Sequence, residues 1–156
     1  MPIPSDATIR SKIADVIETA TTNKAVVFSY WVLGYEQLRW PGFLRSANDQ
    51  GRVHGYVIRR RESLGEVRGP NRVKRTYTYE ILGLHYYYSG PEADNSEKLL
   101  SAEIDLLSDA FDKPGLLAAE LARVEPVTWR MQLPSFGGEL IHLVIGTLIL
   151  QPCETI

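Results

Sequence analysis

Apolar residues recur along this chain with two periods, and the switches between them lay out its elements. Ser5 is a good helix N-cap, and Ile9, Ile13, Val16, Ile17 and Ala20 follow at helical spacing, which predicts an amphipathic helix over Asp6–Thr21. Ala25–Leu33 is rich in β-branched and aromatic residues and closes at Gly34, the signature of a strand. From Tyr35 through Trp40-Pro41-Gly42 to Asp49-Gln50-Gly51 there are turn residues and no period, the pattern of a loop. Val53–Arg61 and Arg75–Tyr87 both read as strand. Between them, Gly69-Pro70-Asn71-Arg72 puts Pro at the second and Asn at the third position of a turn. The arms Val53–Arg68 and Arg72–Tyr87 are equal in length about that turn, so one antiparallel hairpin is expected. Fully extended, such arms reach about 50 Å. The base has apolar residues enough to pack on a core, and the charged tip is expected to be mobile in an isolated subunit.

Ser89-Gly90-Pro91 interrupts the chain. Asp94 and Glu97 then form a D-x-x-E capping pattern, and Leu100, Ile104, Leu107 and Phe111 make a helical stripe, predicting a second helix over Ser96–Asp112. Asp112-Lys113-Pro114-Gly115 stops it, and Leu116–Val124 reads as a short helical piece. Val127, Trp129, Met131 and Leu133 alternate with polar residues as in a half-buried strand, and Leu140–Gln151 is apolar on both faces, as in a central one. The expected fold is therefore α+β: a mostly antiparallel sheet with two main helices on one side and a long β-hairpin. Within the hairpin, Tyr77, Tyr79 and Ile81 share one face and Leu82, Leu84 and Tyr86 the other. The helices cover one face. The second needs its own cover, either a protein partner or the loop from Trp40 to Gly51.

Composition narrows the class without changing this picture. The 156 residues suit a single domain over 1–156, and 44% hydrophobic with 23% charged residues is the balance of a globular chain. Cys153 is the single cysteine, so no internal disulfide is expected. The first residues lack the basic and apolar regions of a secretory signal, and the longest apolar run, Leu140–Leu150, is too short to span a bilayer. A reducing cytoplasm is the expected setting, with no membrane contact. A net charge of −2 gives the whole molecule no footprint for nucleic acid. The charge is unevenly spread, however. Arg59, Arg60, Arg61, Arg68, Arg72, Lys74 and Arg75 against Glu62 and Glu66 leave +5 on the hairpin, while Glu92–Glu125 carries −6. Two oppositely charged regions on one domain suggest complementary surfaces.

Catalytic chemistry is not legible. His54, His85 and His142 lie far apart in sequence with no i+4 partner or paired Cys, although the hairpin register could bring His54 and His85 together; they are expected to be ordinary strand residues. Ser135-Phe136-Gly137-Gly138-Glu139 has turn glycines but no nucleophile elbow, and Gly65-x-x-x-Gly69 lacks the Gly-Lys of a phosphate loop. Neither an enzyme nor a cofactor is expected. The basic tip is the feature that stands out, and three readings are open: a solvated hairpin end, an arm that docks on an acidic neighbour, and a nucleic-acid contact.

Several ordered segments carry a resemblance. Gly55-Tyr56-Val57-Ile58-Arg59-Arg60, the Arg-rich turn, Thr76–Gly83, Ser96-Glu97-Lys98-Leu99-Leu100 running to Phe111, Tyr35-x-x-x-Arg39-Trp40 and Phe136–His142 together resemble the tail terminator proteins of long-tailed bacteriophages, the lambda-type minor tail protein U family. The Tyr35–Trp40 stretch departs from the family by extra intervening residues. The resemblance implies a structural virion protein, a subunit of a hexameric ring. Such a ring caps the head-proximal end of the tail tube, ends its polymerisation and joins it to the head–tail connector. Its implied partners are further copies of itself, the tube protein and connector proteins, with genomic DNA at most passing through the ring. The implied setting is the virion tail or neck, and the host cytoplasm during assembly. Another neck protein, a head–tail adaptor or head-closure subunit, shares that size and ring habit. The expected interface residues are Arg61, Arg68, Arg72, Lys74 and Arg75.

Overall fold

Ser5 opens the first helix as its cap pattern requires: its Oγ accepts from the Thr8 backbone N–H at 3.2 Å, and helix α1 runs over Asp6–Ala20. The computed structural model describes residues 4–70, 72–91, 95–112, 121–123 and 126–152. After α1 come strand β1 (Val26–Phe28), a short helix α2 (Trp40–Phe43) and β2 (Arg45–Ser46). The long strands β3 (Arg52–Gly69) and β4 (Arg72–Tyr86) follow, then helix α3 (Ser96–Asp112). The chain continues through β5 (Leu121–Arg123), β6 (Thr128–Gln132), β7 (Ser135–Phe136) and β8 (Glu139–Pro152). The sheet runs β1-β3-β4-β8-β5, with β6 and β7 also pairing with β8 and β2 with β3. Every pairing is antiparallel except β1 with β3, which is parallel from Val26↔Gly55 to Phe28↔Val57. The fold is α+β, a mixed and mostly antiparallel sheet with a long β3–β4 hairpin.

Strand alternation divides the interior in two. On one face, Tyr56, Ile58, Tyr79, Ile81, Val144 and Leu148 pack against Ile9, Ile13 and Ile17 of α1 and Leu100, Ile104, Leu107 and Phe111 of α3. On the other, Val53, Val57, Leu82, Leu84 and Ile141 meet Leu33, Leu44 and Phe136, with Trp31 and Trp40 at the margin. The second cover is thus supplied by the chain itself. Trp40 donates its indole N–H to the Gly34 carbonyl at 2.8 Å and meets Trp31 edge-on at 5.7 Å.

That cover explains two corrections. The strand expected over Ala25–Leu33 stops at Phe28 because the chain peels off to carry Trp31 and Leu33 across the second face. Arg10 takes the Ser29 carbonyl at 2.8 Å where it leaves. The segment expected as loop holds α2, β2 and 3-10 turns at Gln37–Arg39 and Ala47–Asp49. A third correction concerns Leu116–Val124: its described part, Leu121–Arg123, is strand, paired with Pro152, Gln151 and Leu150. Residues 116–120 and 124 lie outside the described residues, as do Asn71, Asp94 and Cys153. The α3 cap contact that is described comes from Asn95, whose Oδ1 accepts from the Glu97 N–H at 3.0 Å. Finally, the alternating stretch 127–133, which contains β6, hides its apolar side only at Val127 and Trp129, while Met131 and Leu133 are exposed.

Two glycines permit close approach. A Cβ at Gly83 would lie 2.5 Å from Tyr56 Cε1, and one at Gly146 would lie 2.6 Å from Trp129 Cζ3. Both rings lie flat on the sheet because no side chain lies beneath them.

Candidate functional site

The hairpin leaves the sheet as a two-stranded arm. β8 accompanies β4 as far as Tyr77↔Leu150, and β1 accompanies β3 between Gly55 and Val57. Beyond Ser63↔Tyr77, β3 and β4 pair with one another through Val67↔Val73 and Gly69↔Arg72. Residues 61–68 are all exposed. They include Leu64 at 56% and Val67 at 78%, with Val73 opposite at 52%. An isolated two-stranded ribbon is marginally stable in water.

Cross-strand partners share a face, which sorts the arm's side chains. Ser63, Gly65, Val67, Val73 and Arg75 continue the face of Tyr77, the side where the helices lie. That face carries a valine pair and a cation, and no acid. Glu62, Leu64, Glu66, Lys74 and Thr76 lie on the other face. The five expected interface residues therefore do not form one patch. Lys74 stands opposite Glu66, and Arg68 reaches Glu66 at 3.3 Å. Arg61 sits at the root, beside a register shift between Arg60 and Glu62 and 3.6 Å from Glu80. Arg75 is on the helix-side face, and the Arg72 backbone pairs with Gly69 at the turn.

All three histidines lie on strands, and the hairpin register does bring His54 and His85 together. Register puts His54 opposite His85 and His85 opposite His142, in one row across three strands. All are buried, at 3%, 4% and 7% exposure. His54 is held between two carboxylates, with Nδ1 2.8 Å from Asp49 Oδ2 and Nε2 2.7 Å from Glu103 Oε1. Ionised carboxylates only accept, so both ring nitrogens donate and the ring is an imidazolium. Burial alone would depress its pKa, but the bonds and charges of Glu103 and then Asp49 outweigh burial and raise it. Glu103 moves reciprocally: burial pushes it up, His54 and the Tyr56 hydroxyl pull it down, and the net direction is down. His85 is the opposite case. Burial, and then the charge on His54 with ring centroids 4.8 Å apart, press its pKa down to about 4. Its Nδ1–H donates to the Tyr86 carbonyl at 2.9 Å.

His142 Nε2 lies 2.9 Å from Ser96 Oγ, and burial lowers its pKa. A Ser–His contact invites a nucleophile reading. Here, however, the Ser96 hydroxyl is spent on Tyr88, accepting from its N–H at 2.8 Å and lying 3.1 Å from its carbonyl, and the residue is 1% exposed. Through His54–Glu103 and His142–Ser96 the row fastens α3 to β3 and β8, and among the described residues no group of three His, Cys, Asp or Glu has metal-site geometry. Glu103 did leave a signal in the sequence: it is i+3 from Leu100 and i−4 from Leu107, a charge set inside the apolar stripe.

A second polar junction ties α1 down. Arg10 is buried, donates to Asp6 at 2.8 Å and to the Ile58 carbonyl at 3.1 Å, and Asp6 also accepts from the Tyr79 hydroxyl at 2.6 Å. Between α1 and α3 lies an open groove of about 940 Å³. Val16, Ala20, Leu106 and Ala110 give it apolar walls, and Asp15, Asp109 and Asp112 line it along with Lys12.

No protein-family model matches the chain, and no curated protein matches it either. Among the described residues no helix is long and apolar enough to cross a membrane.

Proposed function

We propose that this chain is the ring-forming tail terminator of a long-tailed bacteriophage, a structural subunit that caps the head-proximal end of the tail tube. The observation that carries the reading is the bare arm, a two-stranded ribbon with Leu64, Val67 and Val73 exposed beyond the sheet. A ribbon of that kind gains stability by docking on another molecule. The sequence resemblance supplies the identity of the assembly. The basic arm and acidic α3 supply the two different patches that a head-to-tail ring requires.

Light scattering after size exclusion, with and without purified tail tubes, tests it. The expected results are a ring of about six subunits and tubes that stop elongating once the ring is bound. Reversing Arg68, Arg72, Lys74 and Arg75 to Glu, so that both faces of the arm change sign, leaves the monomer folded, since exposed charges contribute little to folding, but abolishes assembly. Raising salt weakens wild-type association in the same direction. A wild-type protein that stays monomeric at every concentration and leaves tube growth unchanged overturns the reading. Specific binding of a head-side connector with no effect on tubes moves it to the neighbouring neck role.

A further inference from the structure

Resting on the ring reading, we infer where the arm goes: its helix-side face seats in the α1–α3 groove of the next copy of this chain. The two surfaces match in three respects. The groove is apolar at Val16, Ala20, Leu106 and Ala110, with Leu106 56% exposed, and the arm's helix-side face presents the directly paired Val67 and Val73. The groove is lined by Asp15, Asp109 and Asp112 against one lysine, while that arm face carries Arg75 and no acid. The arm's two glutamates, Glu62 and Glu66, lie on the opposite face, so a docked arm keeps them out of an acidic groove. Sorting charge by face in this way serves an interface and does nothing for a solvated hairpin end.

The dimensions also agree. From Ser63 to Gly69 the arm extends about 20 Å, and α3 with its 17 residues is about 25 Å long. A second copy is the occupant because both halves of the complementarity are carried by the same chain, on different surfaces. That arrangement is heterologous and closes into a ring if the rotation per subunit allows.

Directed cross-linking tests it in the full chain, with Cys153→Ser removing the native thiol. Val67→Cys and Leu106→Cys together, oxidised under assembly conditions, should give a ladder of covalent oligomers on non-reducing gels. A mixture of the two single variants should give one two-chain band and nothing larger. Both positions are exposed, so folding is preserved. A charge exchange gives an independent readout. Arg75→Glu and Asp109→Arg should each weaken association about tenfold or more, and the double variant should recover most of that loss. Rings that form by light scattering with no ladder and no charge rescue overturn the docking site and leave the ring reading standing. A cross-link closed within one chain, or made only to tube protein, overturns it as well. A wild type that never associates removes the ring reading itself.

Discussion

Replacing Glu103 separates the role of the histidine row from that of the arm. The Glu103 side chain is 12% exposed and accepts from two buried donors, His54 Nε2 at 2.7 Å and the Tyr56 hydroxyl. Glu103→Ala strands both, and breaking a buried ion pair from one side costs about 3–5 kcal/mol. Glu103→Gln keeps an acceptor for Tyr56 and loses the charge opposite His54, a smaller loss of about 1.5–3 kcal/mol. The pH dependence of that smaller loss is diagnostic. His54 has a raised pKa in the folded state, so its stabilisation is complete below the unfolded value near 6.5 and is lost as pH rises through the folded value. The penalty for Glu103→Gln should therefore be largest near pH 6 and shrink toward pH 9. Urea melts followed by tryptophan fluorescence measure it, in an arm-reversed variant so that association does not add to stability. A Glu103→Ala cost below about 1 kcal/mol, or a Glu103→Gln cost that does not change with pH, refutes the charged-His54 argument.

Three further outcomes follow from the same packing. Phe111→Ala, at a fully covered position on the α3 stripe, should cost about 3–5 kcal/mol in denaturant melts, and a value typical of surface substitutions would mean the helix faces another way. His85, with a folded pKa of about 4, should make the protein lose about 3 kcal/mol as pH falls from about 6.5 through that value, because the unfolded chain takes up the proton first. His85→Gln should flatten most of that slope, leaving the weaker contribution of His142 and, below about 4.5, the losses at Asp6, Asp49 and Glu103. Gly83→Ala should overpack the Tyr56 ring and Val144 and cost about 1–3 kcal/mol; an unchanged melting midpoint would place the ring elsewhere.

What the sequence disclosed depended on whether a feature was local. Both main helices were legible to within a residue, because a cap and a 3.6-residue stripe are properties of a short window. The hairpin was legible because its turn and two arms are contiguous. Its register was less so: two shifts, at Arg60/Glu62 and Val67/Gly69, change which residues face each other between tip and base. His142 could not be placed in the row at all, since β4 and β8 are joined through α3 and no turn sets their offset. The strand at Ala25–Leu33 failed for a different reason. Its apolar residues are real core residues, but Trp31 and Leu33 serve the second layer in irregular backbone, where composition resembles a strand and geometry does not. The arm's charge was visible from the start. Its division into a cationic face and a mixed face became visible only with the register.

Charge is used in two ways in this molecule, and the difference explains why the arm can be altered freely. Near the sheet, charges are buried or half-buried and mutually satisfied: Arg10 with the half-buried Asp6 under α1, and Asp49, His54 and Glu103 under α3. Removing Asp6, Asp49 or Glu103 leaves a buried cation, Arg10 or His54, short of its partner, so these pairs set how the helices sit on the sheet and are costly to change. On the arm, Arg68, Lys74, Arg75 and Glu66 are in solvent or partly so, and isolated pairs such as Arg68–Glu66 contribute little to folding. The arm's side chains thus carry almost none of the stability of the domain that presents them. They can be tuned for a partner without risk to the fold, and the same separation lets a charge-reversed arm report on assembly alone.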